Sequence, residues 1–296
     1  MQIAITLVAP DFDAVTAHAV RLGAAVAQAG GLIQHTETLA PKALDLFLEA
    51  ESVAAIRPLV EAALADGVAD VCVQPAEGRR KRLLIADMDS TIIGCECLDE
   101  LADFAGVKAE VSAITERAMR GEIGFEGALR ERVAMLKGLP LTALQACFDE
   151  RVRLNPGART LLATMAARGA RCVLVSGGFE FFTNRVAKLA GFHADRANSL
   201  LEAGDKLSGE VGDPILGREA KKAALQAEAA ALGIDLAQTL AVGDGANDLD
   251  MIRAAGLGVA YYAKPLVAAE AHARISHGDL TSLLYFQGYP AEAFQS

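Results

Sequence analysis

The sequence predicts an α/β protein: a parallel sheet with an inserted helical cap, preceded by a small α+β unit. Three observations carry that expectation. Before residue 75, short apolar runs and two helix-like segments follow one another in the order βαββαβ. After Arg82, apolar strands alternate with long helical segments, the pattern of a parallel sheet covered on both faces. Between the first two of those strands, Leu98 to Leu154 is helical in pattern almost throughout, too long for a simple crossover helix.

In the first unit (1–75), strands are expected at Ile3–Ala9, Leu32–Leu39, Ala43–Leu48 and Val68–Val73, and helices at Phe12–Ala29 and Val53–Ala65. That order suggests a ferredoxin-like split βαβ sandwich with helices on one face of an antiparallel sheet. Pro75 to Lys81 combines a Pro, a Gly and the basic triplet Arg79-Arg80-Lys81, the composition of a boundary between units, with the triplet expected in solvent. The larger unit (80–290) has expected strands at Leu83–Ala86, Arg171–Val175, Thr239–Val242 and Leu257–Ala260, with the cap at about 96–154. Parallel sheets bind ligands beyond the carboxyl ends of their strands. Asp87–Thr91, Ser176–Gly178 and Asp244–Asp248 each follow such a strand, so they are expected to form one site.

Composition narrows the function. A net charge of −10 over 296 residues argues against a nucleic-acid partner, which is bound through Lys and Arg. No apolar run reaches the roughly 18 residues of a spanning helix, and the first residues lack the basic and small-residue pattern of a secretory signal. Five scattered cysteines do not resemble a disulfide framework, and Cys95-Glu96-Cys97 lacks the second pair a soft-metal site requires. A cytoplasmic location without membrane contact is the expectation.

The chemistry sits in the polar motifs. Asp87, Asp89, Asp244 and Asp248 gather four carboxylates at the ends of two strands. Like charges so crowded resist ionisation unless a cation neutralises them, and hard oxygen donors of this kind suit Mg²⁺. Asp87 is placed to attack phosphorus and form an acyl phosphate, and Asp89 to give a proton to the leaving alkoxide. Taken alone, Asp-x-Asp also reads as a turn closing a strand. Ser176-Gly177-Gly178 offers a hydroxyl and backbone N–H groups ahead of a helix, a phosphate seat or simply a capped turn. Lys221, near a helix start, could neutralise phosphate charge. The Gly-x-Gly of residues 243–245 lacks the spaced third Gly of a dinucleotide fingerprint, and its acids would repel pyrophosphate.

In this order, Asp87-Met88-Asp89-Ser90-Thr91, Ser176-Gly177-Gly178-Phe179, Ala220-Lys221 and Gly243-Asp244-Gly245-Ala246-Asn247-Asp248 resemble the haloacid dehalogenase (HAD) superfamily of phosphohydrolases, and more closely its phosphoserine phosphatases. The resemblance spans about residues 80–280, including Glu96 and the segment Met119 to Val133. It implies a HAD-like Rossmannoid core and a Mg²⁺-dependent hydrolysis of O-phosphoserine. It implies Asp87 as nucleophile and Asp89 as general acid, then base. It assigns the metal to Asp87, Asp244 and the Asp89 carbonyl, with Asp248 in support, and phosphate to Ser176, Gly177 and Lys221, with Asn247 and Gly178 beside them. It assigns the substrate ammonium to Glu96 and its carboxylate to Arg132, pairings that suit an Arg fork and a carboxylate. Met119 and Phe125 would close the cap. The first unit resembles small amino-acid-binding (ACT-like) regulatory domains, but Ala9-Pro10-Asp11-Phe12-Asp13 lacks their glycine-bearing turn, which favours a dimerisation or stabilising role.

Overall fold

A computed structural model describes residues 1–65, 67–119 and 122–296, with the side chain of Met119 outside the description. The chain opens with β1 (Gln2–Val8), α1 (Phe12–Gln28), β2 (Ile33–Ala40), β3 (Ala43–Glu49), α2 (Val53–Ala63) and β4 (Asp70–Pro75). Both helices start on side-chain caps, Asp11 accepting from Ala14 N–H and Ser52 from Ala55 N–H. Their apolar stripes, with Val15, Leu22, Val26 and Val60 fully covered, pack on Ile3, Ile5, Leu7, Leu46 and Leu48.

After β5 (Leu83–Ala86) come four helices, α3 (Cys97–Phe104), α4 (Lys108–Met119), α5 (Phe125–Ala134) and α6 (Leu141–Arg151). They leave and rejoin the core side by side, where Ile93 pairs with Leu154 and Gly94 N–H donates to Arg153 O. The core continues through α7 (Ala158–Ala167), β6 (Arg171–Phe179), α8 (Glu180–Ala190), β7 (Ala194–Asn198) and the hairpin β8 (Leu200–Ala203) and β9 (Lys206–Val211). It closes with α9 (Arg218–Leu232), β10 (Thr239–Gly243), α10 (Leu249–Ala254), β11 (Leu257–Tyr261), α11 (Pro265–Glu270), β12 (Ala273–Ile275) and α12 (Ser282–Phe286).

Ten strands form one sheet in the order β2-β3-β1-β4-β12-β11-β10-β5-β6-β7. From β12 to β7 every pair is parallel. The chain passes from β5 outward to β7 on one side and from β10 outward to β12 on the other, so the crevice between β5 and β10 is the switch point where parallel sheets bind ligands.

The structure joins the two units through one sheet and corrects one expectation. Antiparallel pairing of β4 with β12, Cys72 opposite Ala273 and Val71 opposite Arg274, makes the first unit's sheet continuous with the parallel sheet. Of the basic triplet expected in solvent, Arg79 and Lys81 are instead drawn in, because residues 75–81 cross the first unit's second face, while Arg80 stays exposed. Arg79 pairs with the fully buried Asp45 at 2.7 Å, and Asp45 also accepts from Thr6 at 2.6 Å. The Arg80 guanidinium lies 4.7 Å from the Tyr289 ring centre. Lys81, 8% exposed, donates to the carbonyls of Gly78 (3.0 Å) and Ala237 (2.9 Å). Breaking the Asp45 pair from one side would strand a buried charge, at a cost of about 3–5 kcal/mol. The buried helix α12 covers the same face, and Gln74 donates to Phe286 O.

Candidate active site

Asp87 stands one residue beyond β5, its N–H donating to Val242 O of β10 at 3.0 Å, and is 5% exposed. The next residues turn back sharply, with Ser90 at φ +55°, a left-handed conformation uncommon outside glycine. This turn aims Asp89 along the same crevice, where one carboxylate oxygen accepts from Cys97 N–H at 3.0 Å and the other lies 3.5 Å from Ser176 Oγ. From β10, Gly243 leads into a tight turn whose Gly245 N–H donates to Asp248 at 3.0 Å. Gly243 is required there, since a Cβ would lie 2.4 Å from the Asp248 carboxyl carbon.

Asp87, Asp244 and Asp248 thereby bring carboxylate oxygens within 4.8 Å of one another. Lys221, on the first turns of α9 and 2% exposed, closes the cluster at 2.5 Å from Asp87 Oδ1 and 2.6 Å from Asp248 Oδ1. Burial works against its charge, but Asp248 and Asp87 outweigh that and raise its pKa. Asp87, Asp89 and Asp244 are held from ionising. Burial and the Asp248 charge push Asp87 well up, against the pull of Lys221. Burial, then Glu96, raises Asp89 to about 7, and burial, then Asp248, raises Asp244 to about 6. One ammonium therefore faces a surplus of hard oxygen donors, a set that fits a divalent cation.

The Ser-Gly-Gly motif is not a loop after a strand. β6 runs on to Phe179, with its pairing to β7 interrupted between Val175 and Phe179. In that bulge Ser176 Oγ accepts from Gly178 N–H at 2.8 Å. A Cβ on Gly178 would meet Asp89 Oδ2 at 2.9 Å and Ser176 Oγ at 3.0 Å, so this glycine lets the two motifs touch. Asn198, 2% exposed, fixes the bulge by donating to Gly177 O (2.8 Å) and accepting from Leu216 N–H (2.6 Å). Sequence reasoning missed it, because nothing in Ala194–Asn198 separates a buried tether from an ordinary strand-end amide. It also missed β7, β12 and the β8–β9 hairpin, although Gly204-Asp205 is a turn signal for the last, and the structure holds Gly204 at φ +68°.

The cap supplies the remaining groups. Glu96, at the start of α3, accepts from Ser90 Oγ at 2.6 Å, and burial raises its pKa. Arg132 on α5 donates to Ala128 O at 3.2 Å and feels the charges of Asp99 and Glu96, which offset part of the pKa lowering that burial imposes. The Phe125 ring lies over Gly177 and Gly217, 3.4 and 3.6 Å from where their Cβ atoms would be. Asn247 lies on the Gly245–Asp248 turn, its Oδ1 2.3 Å from where a Gly245 Cβ would be. The Met119 side chain is outside the described residues.

Residues 84–253 match the family model for haloacid dehalogenase-like hydrolases. The chain belongs to the haloacid dehalogenase-like hydrolase family. Among relatives of this hydrolase, a phosphoserine phosphatase of Polaromonas sp. (strain JS666) is 46% identical over 209 residues, covering 69% of this chain and 88% of that protein. A HAD family hydrolase of Salmonella enterica serovar Typhi superposes with a TM-score of 0.84 at 30% identity, over 96% of this chain and 98% of the other. A phosphoserine phosphatase solved as a phospho-aspartyl intermediate analogue is 38% identical, with a TM-score of 0.65 over 70% of this chain and 99% of its own. Among the described residues, no helix is long and apolar enough to cross a membrane.

Proposed function

We propose that this chain hydrolyses O-phospho-L-serine to L-serine and phosphate, through a phosphoaspartyl intermediate on Asp87. The observation that carries this reading is the convergence of Asp87, Asp89 and Lys221 with Ser176 at the switch point, beneath a cap that presents Glu96 and Arg132. The relatives named above support the substrate.

In the first step an Asp87 carboxylate oxygen forms a bond to phosphorus as the bond from phosphorus to the seryl oxygen breaks, and Asp89 gives its proton to that oxygen. The pKa of Asp89, about 7, suits the task, since a general acid works best with a pKa near the operating pH. In the second step the Asp89 carboxylate takes a proton from water as the water oxygen attacks phosphorus, which releases phosphate and restores Asp87. Lys221, Ser176 and the Gly177–Gly178 backbone hold the phosphoryl oxygens, and Asn247 stands beside them. Glu96 pairs with the substrate ammonium and Arg132 with its carboxylate, while Phe125 keeps water out. Asp87, Asp244 and the Asp89 carbonyl, with Asp248, would hold Mg²⁺, which when bound supplies charge neutralisation for the phosphoryl group.

Residues 1–75 are read as an ACT-like unit that stabilises the enzyme or supports a homodimer. The cysteines, all free thiols, favour the reducing cytoplasm.

The test is phosphate release from O-phospho-L-serine with Mg²⁺ or chelator, beside phosphothreonine and a sugar phosphate. Selective, metal-dependent release is expected, and Asp87→Asn, nearly constant in shape, should abolish it. Wild-type turnover by Asp87→Asn would remove the nucleophile assignment, and activity only on another ester would remove the substrate.

A further inference from the structure

A second cavity of about 660 Å³ opens along the same edge of the sheet, beside the crevice described above. One wall is the first unit (Val8, Pro10, Lys42), and the others are the cap hinge (Ser90, Asn155) and the loops after β11 and β12. Among the described residues, only two non-glycine positions have positive φ, Ser90 at +55° and Tyr262 at +44°, and both line this cavity. Left-handed backbone at a bulky residue costs energy and collects at functional sites. Here it turns the Tyr262 ring outward, 55% exposed, with its hydroxyl donating to Gly278 O at 3.1 Å. Lys42 and Asp279 face each other loosely at 3.8 Å, each about one-third exposed, while Asp279 Oδ1 accepts from Thr281 N–H at 2.8 Å.

The enzyme solved as a phospho-aspartyl analogue is matched over 99% of its length by 70% of this chain, so the family's core exists without a counterpart to the remainder. The family match itself begins at residue 84. The wall made by Val8, Pro10 and Lys42 therefore lies outside the matched hydrolase core.

We propose that this cavity binds an uncharged ring compound with one flat face and a hydroxylated edge, a nucleoside or a sugar. The flat face stacks on Tyr262, a contact that base–aromatic pairs make at useful strength. The hydroxyls bridge the Lys42 ammonium and the Asp279 carboxylate, which offer donor and acceptor together and cancel in charge. A volume of about 660 Å³ is of the size that holds drug-sized ligands and exceeds what a single small amino acid fills. Ser90 both lines the cavity and donates to Glu96, so an occupant sits one hydrogen bond from the proposed ammonium site. That last consequence rests on the phosphatase reading, whereas binding does not.

Binding is measured by calorimetry on the full chain with adenosine and, separately, glucose as probes, without phosphoserine. Two variants locate it. Tyr262→Gly removes the ring at a backbone angle that glycine adopts freely, and Lys42→Ala removes the ammonium; circular dichroism and the unfolding midpoint verify their fold. Sub-millimolar binding of either probe, weakened roughly tenfold or more by Tyr262→Gly and severalfold by Lys42→Ala, supports the site and identifies the ligand type. No binding of either probe to the wild-type chain at 10-fold higher concentration, or binding indifferent to both substitutions, overturns it. Neither result depends on turnover, so failure here leaves the phosphatase reading untouched.

Discussion

Replacing Lys221 with Met tests the electrostatics of the crevice without relying on turnover. The ammonium is 2% exposed and makes contacts of 2.5 and 2.6 Å to Asp87 and Asp248. Methionine keeps most of the side-chain volume and removes the charge. Taking one partner from a buried ion pair costs about 3–5 kcal/mol, because the other charges stay buried and uncompensated. The loss must depend on pH. Burial and Asp248 raise Asp244 to about 6 even with Lys221 present, above its unfolded value of about 4, and the substitution raises Asp87 and Asp244 further. An acid whose folded pKa is raised binds more protons folded than unfolded between the two values, so stability falls as pH rises through that window. The deficit of Lys221→Met relative to wild type should therefore be full at pH 7.5 and smaller at pH 5. Mg²⁺ should restore part of it at pH 7.5, since a ligand that binds only the folded state stabilises it. Urea unfolding followed by circular dichroism at both pH values, with Mg²⁺ or chelator, reads all of this. Equal deficits at both pH values, untouched by Mg²⁺, would refute the claim that carboxylate crowding is what Lys221 relieves.

Gly178→Ala places a Cβ 2.9 Å from Asp89 and 3.0 Å from Ser176, and is expected to lower kcat on O-phosphoserine at least tenfold while the unfolding midpoint moves little; full activity would show that the two motifs need not touch. Asn198→Leu leaves the half-buried Gly177 O and Leu216 N–H without their partner and should cost about 1 kcal/mol in urea unfolding, along with kcat, a loss Asn198→Asp recovers only in part. Carbon-13 spectra of aspartate carboxyls in metal-free protein should reveal Asp89 titrating near 7 and moving down when Mg²⁺ is added; a midpoint near 4 would remove it as general acid. Arg132→Lys keeps the charge but loses the fork, and should raise KM for O-phosphoserine roughly tenfold or more while sparing an aryl phosphate; equal effects on both would count against carboxylate recognition.

Local chemistry made much of the molecule legible in the sequence alone. Apolar runs such as Leu83–Ala86 and Thr239–Val242 ended in acids, and a strand that ends in acids announces both a buried sheet and the edge where its ligand sits. The helical periodicity between Leu98 and Leu154 was likewise local, and so were the Asp-x-Asp and Gly-Asp-Gly turns whose resemblance to a family supplied roles for Glu96 and Arg132. The tertiary structure decided what depends on partners distant in the chain. Arg79 and Lys81 read as solvated charges because nothing nearby in sequence reveals that Asp45 and the Ala237 carbonyl wait across the sheet. Lys221 alone reads as a surface lysine, and only packing buries it between Asp87 and Asp248. Asn198 and the pairing of β4 with β12 had no local signal, since a buried tether and a sheet junction are defined by which backbone groups remain to be satisfied after folding. Periodicity and turn chemistry act over a few residues and are written along the chain, whereas the pairing of buried charges and carbonyls is settled by the whole fold.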